Sequence, residues 1–217
     1  MFTRDELQTA HRLVQSRMPA TAQYAWPQLE DRLGVKVWVK HENHTPTGSF
    51  KVRGAITFVD WLKREYPDCR GIITATRGNH GQGQALAATS AGMRAVVYVP
   101  FGNSVEKNVA MRAFGAELIE FGQDYDEARE EAHRVAEAEG LFFVPPYHRE
   151  LVRGVATYGL ELFQAAPQIE TLYVPIGCGS GICGCIAARD ALGLSTEIVG
   201  VVSAQAQTAK LSVEAGR

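Results

Sequence analysis

The residues best suited to chemistry lie in three short stretches, the first being Thr45-Pro46-Thr47-Gly48-Ser49-Phe50-Lys51-Val52-Arg53-Gly54-Ala55. It puts one lysine directly after a Pro/Gly turn, at the mouth of a helix that continues through Leu62 at helical spacing. Ser49 is expected to cap that helix, with Lys51 in its first turn. The partial positive charge at a helix N-terminus disfavours an ammonium group, so the Lys51 pKa should fall and the amine should become a usable nucleophile. A lone lysine after a turn carries little weight, and the other two stretches give it meaning.

The second stretch is Thr74-Ala75-Thr76-Arg77-Gly78-Asn79-His80-Gly81-Gln82-Gly83, which follows an apolar run and opens a helix. The backbone N–H groups of Gly78, Asn79 and His80 would point at whatever lies there, and a carboxylate fits. A plain tight turn with Asn79 as the helix cap is equally compatible with these residues. The third stretch, Gly177-Cys178-Gly179-Ser180-Gly181-Ile182-Cys183-Gly184, follows the run ending at Ile176. Its glycines allow a nest of N–H donors at a helix start, a cradle for phosphate. Gly179-x-Gly181-x-x-Gly184 also satisfies the dinucleotide-binding pattern, but that reading requires an acid at the end of the next strand. That strand ends Val201-Val202-Ser203, and its one acid, Glu197, is at the wrong end. The nicotinamide alternative also leaves Thr47 to Lys51 unexplained.

The elements that must position these stretches alternate along the chain. Helices are predicted over about 5–16, 28–33, 79–91, 104–114, 124–139, 150–164 and 182–192, besides the one that carries Lys51. Strands are predicted at 35–40, 71–75, 95–99, 116–120, 142–144, 172–176 and 197–202. Residues 205–217 read as a polar helix or loop. Strands alternating with helices require crossover connections, hence parallel sheets covered on both faces. The expected class is α/β, in two lobes, each an open and mostly parallel sheet flanked by helices. Pro145-Pro146-Tyr147-His148 is the expected crossing, which gives a smaller lobe at 43–145 and a larger one built from 1–42 plus 146–217. His133 reads as a surface histidine.

A chain of 217 residues, 46% hydrophobic, holds a real core. A net charge of -2 and a pI near 6.3 give no footprint for nucleic acid or an anionic membrane. A small molecule is the expected partner and the cytoplasm the expected compartment, since no apolar run reaches membrane-spanning length. Cys178, Cys183 and Cys185 have no histidine at zinc-ligand spacing, so they are expected to be buried small residues, with no metal bound.

Taken together, the three stretches resemble the fold-type II pyridoxal-phosphate enzymes, the tryptophan synthase β family, and within it the serine/threonine dehydratase branch. The run Lys40-His41-Glu42-Asn43-His44-Thr45-Pro46-Thr47-Gly48-Ser49-Phe50-Lys51-Val52-Arg53-Gly54-Ala55 is similar to that branch's lysine motif nearly throughout, and the resemblance extends from about Met18 onward. It implies pyridoxal 5'-phosphate held by Lys51 as a Schiff base, with Phe50 beside it and Asn79 bonded to the cofactor's 3-hydroxyl. It assigns the phosphate to Gly177, Cys178, Gly179, Ser180 and Gly181, and the substrate carboxylate to Thr76, Arg77, Gly78, Asn79 and His80. The implied reaction removes water and then ammonia from L-serine, L-threonine or a related β-hydroxy amino acid, giving a 2-oxo acid. The Lys51 amine takes the α-proton and the cofactor phosphate assists departure of the hydroxyl. A homodimer is implied as well.

Three departures qualify the resemblance. Arg77 stands where relatives carry a small residue, and where racemases of this family use a serine, which disfavours racemisation. Its guanidinium is able either to pair with a second acidic group on a substrate or to enter a structural ion pair. Val202-Ser203 replaces a Glu-Pro found in many dehydratases. Cys178 and Ser180 interrupt the usual glycines, and a Cβ at either position restricts positive φ. A cofactor-storing paralogue without turnover is the non-enzyme alternative, and Lys51 argues against it, since storage needs the cradle but no covalent amine. The larger lobe is expected to lack a C-terminal segment. In relatives that segment supplies the Ser or Thr facing the pyridine nitrogen, and no residue here matches it.

Overall fold

The computed structural model describes residues 2–216. Helix α1 (Arg4–Gln15) opens with a capping box in which Thr3 and Glu6 satisfy each other's backbone N–H groups, and its apolar face buries Leu7, Ala10 and Val14. The short strands β1 (Gln23–Ala25) and β2 (Trp38–Lys40) pair antiparallel on either side of α2 (Pro27–Leu33). The strand expected at 35–40 is thus shorter, and β1 was not foreseen. Three residues carry too little alternation to reveal a period.

Helix α3 (Lys51–Glu65) is followed by an alternation of β3 (Gly71–Ala75), α4 (Asn79–Ser90), β4 (Arg94–Val99), α5 (Val105–Ala113), β5 (Glu117–Glu120), α6 (Tyr125–Glu139) and β6 (Phe142–Phe143). The four strands form one parallel sheet in the order β5-β4-β3-β6. Strand β3 is buried along its whole length, so it reads as a continuous apolar run. Phe58, Leu62, Ile72, Ala85, Val97 and Met111 pack one face of this sheet, while Ile73, Val96 and Tyr98 meet Ala128, Ala132 and Ala136 of α6 on the other.

Helix α7 (Arg149–Ala165) leads to β7 (Thr171–Pro175), α8 (Ser180–Leu192), β8 (Glu197–Val201) and α9 (Thr208–Glu214). β7 and β8 pair in parallel. Leu7 of α1, Val152, Leu160 and Phe163 of α7, and Ala187 and Ala188 of α8 form a second core. The α/β class and its parallel strands are as expected. Helix α7 packs on α3 on one side and on α8 on the other, so it spans the distance between the lysine and the glycine-rich turn. Among the described residues no helix is long and apolar enough to cross a membrane.

Candidate active site

The first turn of α3 is fixed from both sides. Before it, the Gly48 N–H bonds the Thr45 carbonyl at 2.9 Å with Gly48 at φ +66°, a left-handed turn conformation that suits glycine. The helix cap is Phe50, not Ser49, although the Ser49 hydroxyl still accepts the Lys51 N–H at 3.3 Å. Two residues beyond the lysine, Arg53 is fully buried and forks onto two carboxylates. It bonds Glu42 at 2.8 and 2.9 Å and Glu161 of α7 at 2.8 and 2.9 Å. Lys40 joins Glu161 at 2.6 Å and Thr21 bonds Glu42 at 2.6 Å. This satisfied network pins α3 to α7 and to the N-terminal segment, which fixes where the lysine backbone sits.

From there the Lys51 Nζ reaches the Ser180 hydroxyl, 2.8 Å away, in the first turn of α8, and lies 5.2 Å from the centre of the Phe50 ring. Its pKa is lowered, chiefly by burial, with Cys178 pulling the other way. The direction matches the expectation from sequence, but the leading cause is desolvation rather than the charge at the helix end. A cavity of about 530 Å³ opens around this amine, within the 300–1,000 Å³ typical of small-molecule sites. Phe50, Lys51, Arg77, Gly78, Asn79, His80 and Gly177 through Gly181 all line it. Every residue assigned to cofactor or substrate in the three stretches is therefore at this cavity except Thr76.

Thr76 is buried, and its hydroxyl accepts the Gly78 N–H at 3.0 Å. That contact shapes the turn and uses one of the three N–H groups expected to face a ligand. Those of Asn79 and His80 remain without an intrahelical acceptor, as the first turn of any helix leaves them. Gly78, not Asn79, occupies the cap of α4. The His80 pKa is pushed down to about 4 by burial first and by the Lys51 charge second, against a backbone hydrogen bond with Val144, and its Nε2 has no partner. Gly83, one turn into α4, lets that helix lie against the lysine's own backbone, since a Cβ there would sit 3.1 Å from the Lys51 carbonyl carbon.

Sequence reasoning missed Lys107, whose Nζ bonds the Asn79 side-chain oxygen at 2.7 Å. It lies in the first turn of α5, which follows β4, the strand beside β3, so that turn faces the same sheet edge as Asn79. Only strand order could have revealed it. The glycine-rich turn has Gly179 at φ +90° as the cap of α8, and no non-glycine residue takes positive φ among the described residues. Cys178 and Ser180 are accommodated without strain. Cys178, expected to be buried, is exposed at the cavity, whereas Cys185 is buried beneath it, 3.1 Å from the Tyr158 hydroxyl. Glu197 pairs with Thr171 at the far end of the β7–β8 pair, so no acid stands where a dinucleotide ribose would need one.

These residues fit pyridoxal phosphate on the chemistry of the donor set. The cradle at the α8 N-terminus leaves open space at Gly177 and Gly179, where an added Cβ would meet nothing within 4 Å, and a buried amine of lowered pKa stands beside it. Fold and site together define an open parallel α/β protein whose cavity sets one lysine between two helix N-termini, an arrangement suited to an anionic small molecule. The comparisons agree: residues 18–217 match the model of the pyridoxal-phosphate dependent enzyme family, and the chain belongs to that family. It is 37% identical over 86% of its length to an L-threonine ammonia-lyase of Geobacter sulfurreducens. It is 35% identical over 88% to an L-threonine dehydratase of Pasteurella multocida. The chain spans 46% and 37% of those two relatives. A solved structure of the processed form of threonine deaminase isoform 2 from Solanum lycopersicum superposes with a TM-score of 0.88 at 31% identity, covering all of this chain and 61% of that one.

Proposed function

We propose that this chain carries the lysine and both anion sites of a pyridoxal-phosphate-dependent ammonia-lyase. Its substrate is L-threonine, L-serine or a related β-hydroxy amino acid, and its products are a 2-oxo acid and ammonia. The observation that carries the reading is the Lys51 amine 2.8 Å from Ser180 in the glycine-rich first turn of α8, facing the Gly78–His80 turn across one cavity. The similarity to threonine ammonia-lyases supports the reaction class.

When bound, pyridoxal phosphate supplies the electron sink that acidifies the α-carbon of an amino acid. The residues divide the remaining work. Backbone N–H groups from Gly177 to Gly181 hold the phosphate, and the positive end of α8 favours it. Asn79 and His80 N–H groups take the substrate carboxylate. Lys107 accepts none of that load, but by holding the Asn79 oxygen it leaves the Asn79 amide free to donate to the cofactor's 3-hydroxyl oxygen. Burial lowers the Lys51 pKa and so makes its amine easier to deprotonate, which suits it both to hold the cofactor and to move the proton at the substrate α-carbon. His80 stays neutral at pH 7.

The same reading sets the smaller lobe at 43–145 and the larger at 1–42 plus 146–217, in a cytoplasmic homodimer. Pro145-Pro146 between the two cores supports the boundary. The test is 2-oxo acid release from L-threonine and L-serine by the pyridoxal-phosphate-loaded protein, with Lys51→Ala alongside. Lys51→Ala is expected to abolish turnover while retaining weak binding of cofactor at the cradle. Normal turnover without Lys51 would end this assignment.

A further inference from the structure

Lys51, Arg77 and Lys107 line the cavity, and no Asp or Glu is among the described residues that do. Two guanidinium or ammonium groups beside a buried amine, with no acid and with two helix N-termini added, are what a site for several negative charges needs. Two of the three basic groups already have an occupation: Lys51 reaches Ser180 and Lys107 holds Asn79. Arg77 does not. It is exposed on the cavity side of the turn between β3 and α4 and enters no ion pair among the described residues, which removes the structural ion pair as its explanation.

We propose that Arg77 is a specificity-determining residue that selects an amino acid with a second carboxylate, so that the preferred substrate is a β-hydroxy dicarboxylic amino acid. The inference rests on the reading above, in which an amino acid binds beside Lys51. The first two anions, cofactor phosphate and α-carboxylate, fall to the N–H groups of α8 and α4. A guanidinium adjoining the second of these lines the same cavity, where a side chain extending from the same substrate would meet it. Its planar fork matches a carboxylate bidentately, which a lysine or a backbone N–H does not. Lys107 adds to the positive field there without being free to fork. A neutral threonine side chain would leave the guanidinium with water alone, so the gain is differential and depends on the substrate.

L-aspartate and L-alanine lack a β-hydroxyl, so their binding tests Arg77 apart from turnover. Titration calorimetry of the loaded natural protein is expected to give aspartate at least about tenfold tighter than alanine. The ratio should collapse to within about threefold in Arg77→Ala and recover in part in Arg77→Lys. A ratio near one in the unsubstituted protein, or one that survives Arg77→Ala, overturns the proposal. So does an Arg77→Ala variant that loses cofactor affinity with the ratio intact, because the guanidinium would then serve the phosphate. If threonine is still deaminated in those cases, the lyase reading stands and only the role of Arg77 falls. If neither amino acid binds, the role of Arg77 falls, and the lyase reading falls with it only where threonine and serine are not deaminated either.

Discussion

Lys51 and His80 are both held toward their neutral forms, and burial is the leading cause for each. Two ammonium-type charges side by side in a cavity without acids would repel, so the arrangement is self-consistent: a neutral His80 lets a protonated Lys51 exist when required. Stability follows from the same burial. The His80 pKa lies at about 4 in the fold against an ordinary 6.5. Between those values the unfolded chain binds a proton that the native state refuses, so stability is lost as pH falls through that window. Glu161 acts lower on the scale. Burial pushes its carboxyl up, but pairing with His11, Arg53 and Lys40 outweighs burial and holds it well below 4.5. Its contribution is present above 4.5 and fades as pH drops further. Urea midpoints measured from pH 8 to 3 should therefore decline from 6.5 to 4 and fall more steeply below 4.5. His80→Gln should lessen the upper decline and leave the part due to His148, whose pKa burial also lowers, with the fall below 4.5 unchanged. A flat profile down to pH 4.5 in the unsubstituted protein would contradict the burial of a neutral His80. The lysine was legible in the sequence because a turn signal and an anion-loop signal flanked the same helix. The Arg53 network was not, because Glu161 is 108 residues away and no local pattern records that pairing.

At the scale of elements, the site depends on helices approaching more closely than ordinary side chains allow. Helix α7 meets α3 at Gly154, where a Cβ would lie 2.2 Å from the Arg53 carbonyl oxygen and 2.2 Å from the Thr57 hydroxyl. Thr57 uses the closeness to bond the Glu150 carbonyl at 2.7 Å. Because Lys51 begins α3, any separation of these helices moves the amine relative to the α8 cradle. Gly154→Val is expected to cost about 1–3 kcal/mol or more through overpacking and to weaken cofactor binding though it lies outside the cavity. Thermal unfolding and an absorbance titration with pyridoxal phosphate check both effects. A variant with unchanged melting temperature would show that α3 and α7 can part freely. Helix and strand identities were mostly readable because the chain alternates strongly between periods of 2 and 3.6. The caps were less so. Ser49 and Asn79 carry the preferred cap side chains, yet Phe50 and Gly78 occupy those places. The turns are set by the Thr45 and Thr76 hydroxyls, which bond Ser49 and Gly78 from behind.

For the whole molecule, the cavity lies where the C-terminal ends of two separate parallel sheets face each other, β3 and β4 on one side and β7 on the other. Open α/β sheets offer ligand sites at such ends because the helix N-termini that follow converge there. Strand order is what brings Lys107 beside Asn79, and linear sequence does not contain it. The second sheet differs from the first in how little covers it. It has two strands, and Tyr173 of β7 and Val201 of β8 are 67% and 46% exposed, with Leu211 and Val213 of α9 at 59% and 81%. Among the described residues neither of its outer edges pairs with a further strand. A net charge of -2 gives weak repulsion between copies. The 217-residue chain expressed by itself is therefore expected to self-associate through this region as its concentration is raised. Tyr173→Lys combined with Val213→Lys should shift it toward monomer, since charge on an edge strand opposes further pairing and charge on α9 interrupts the exposed apolar surface. Light scattering after size exclusion measures the mass of both proteins. A monomeric unsubstituted chain would show that these apolar side chains do not drive association, and an equally associated double variant would place the contact on another face.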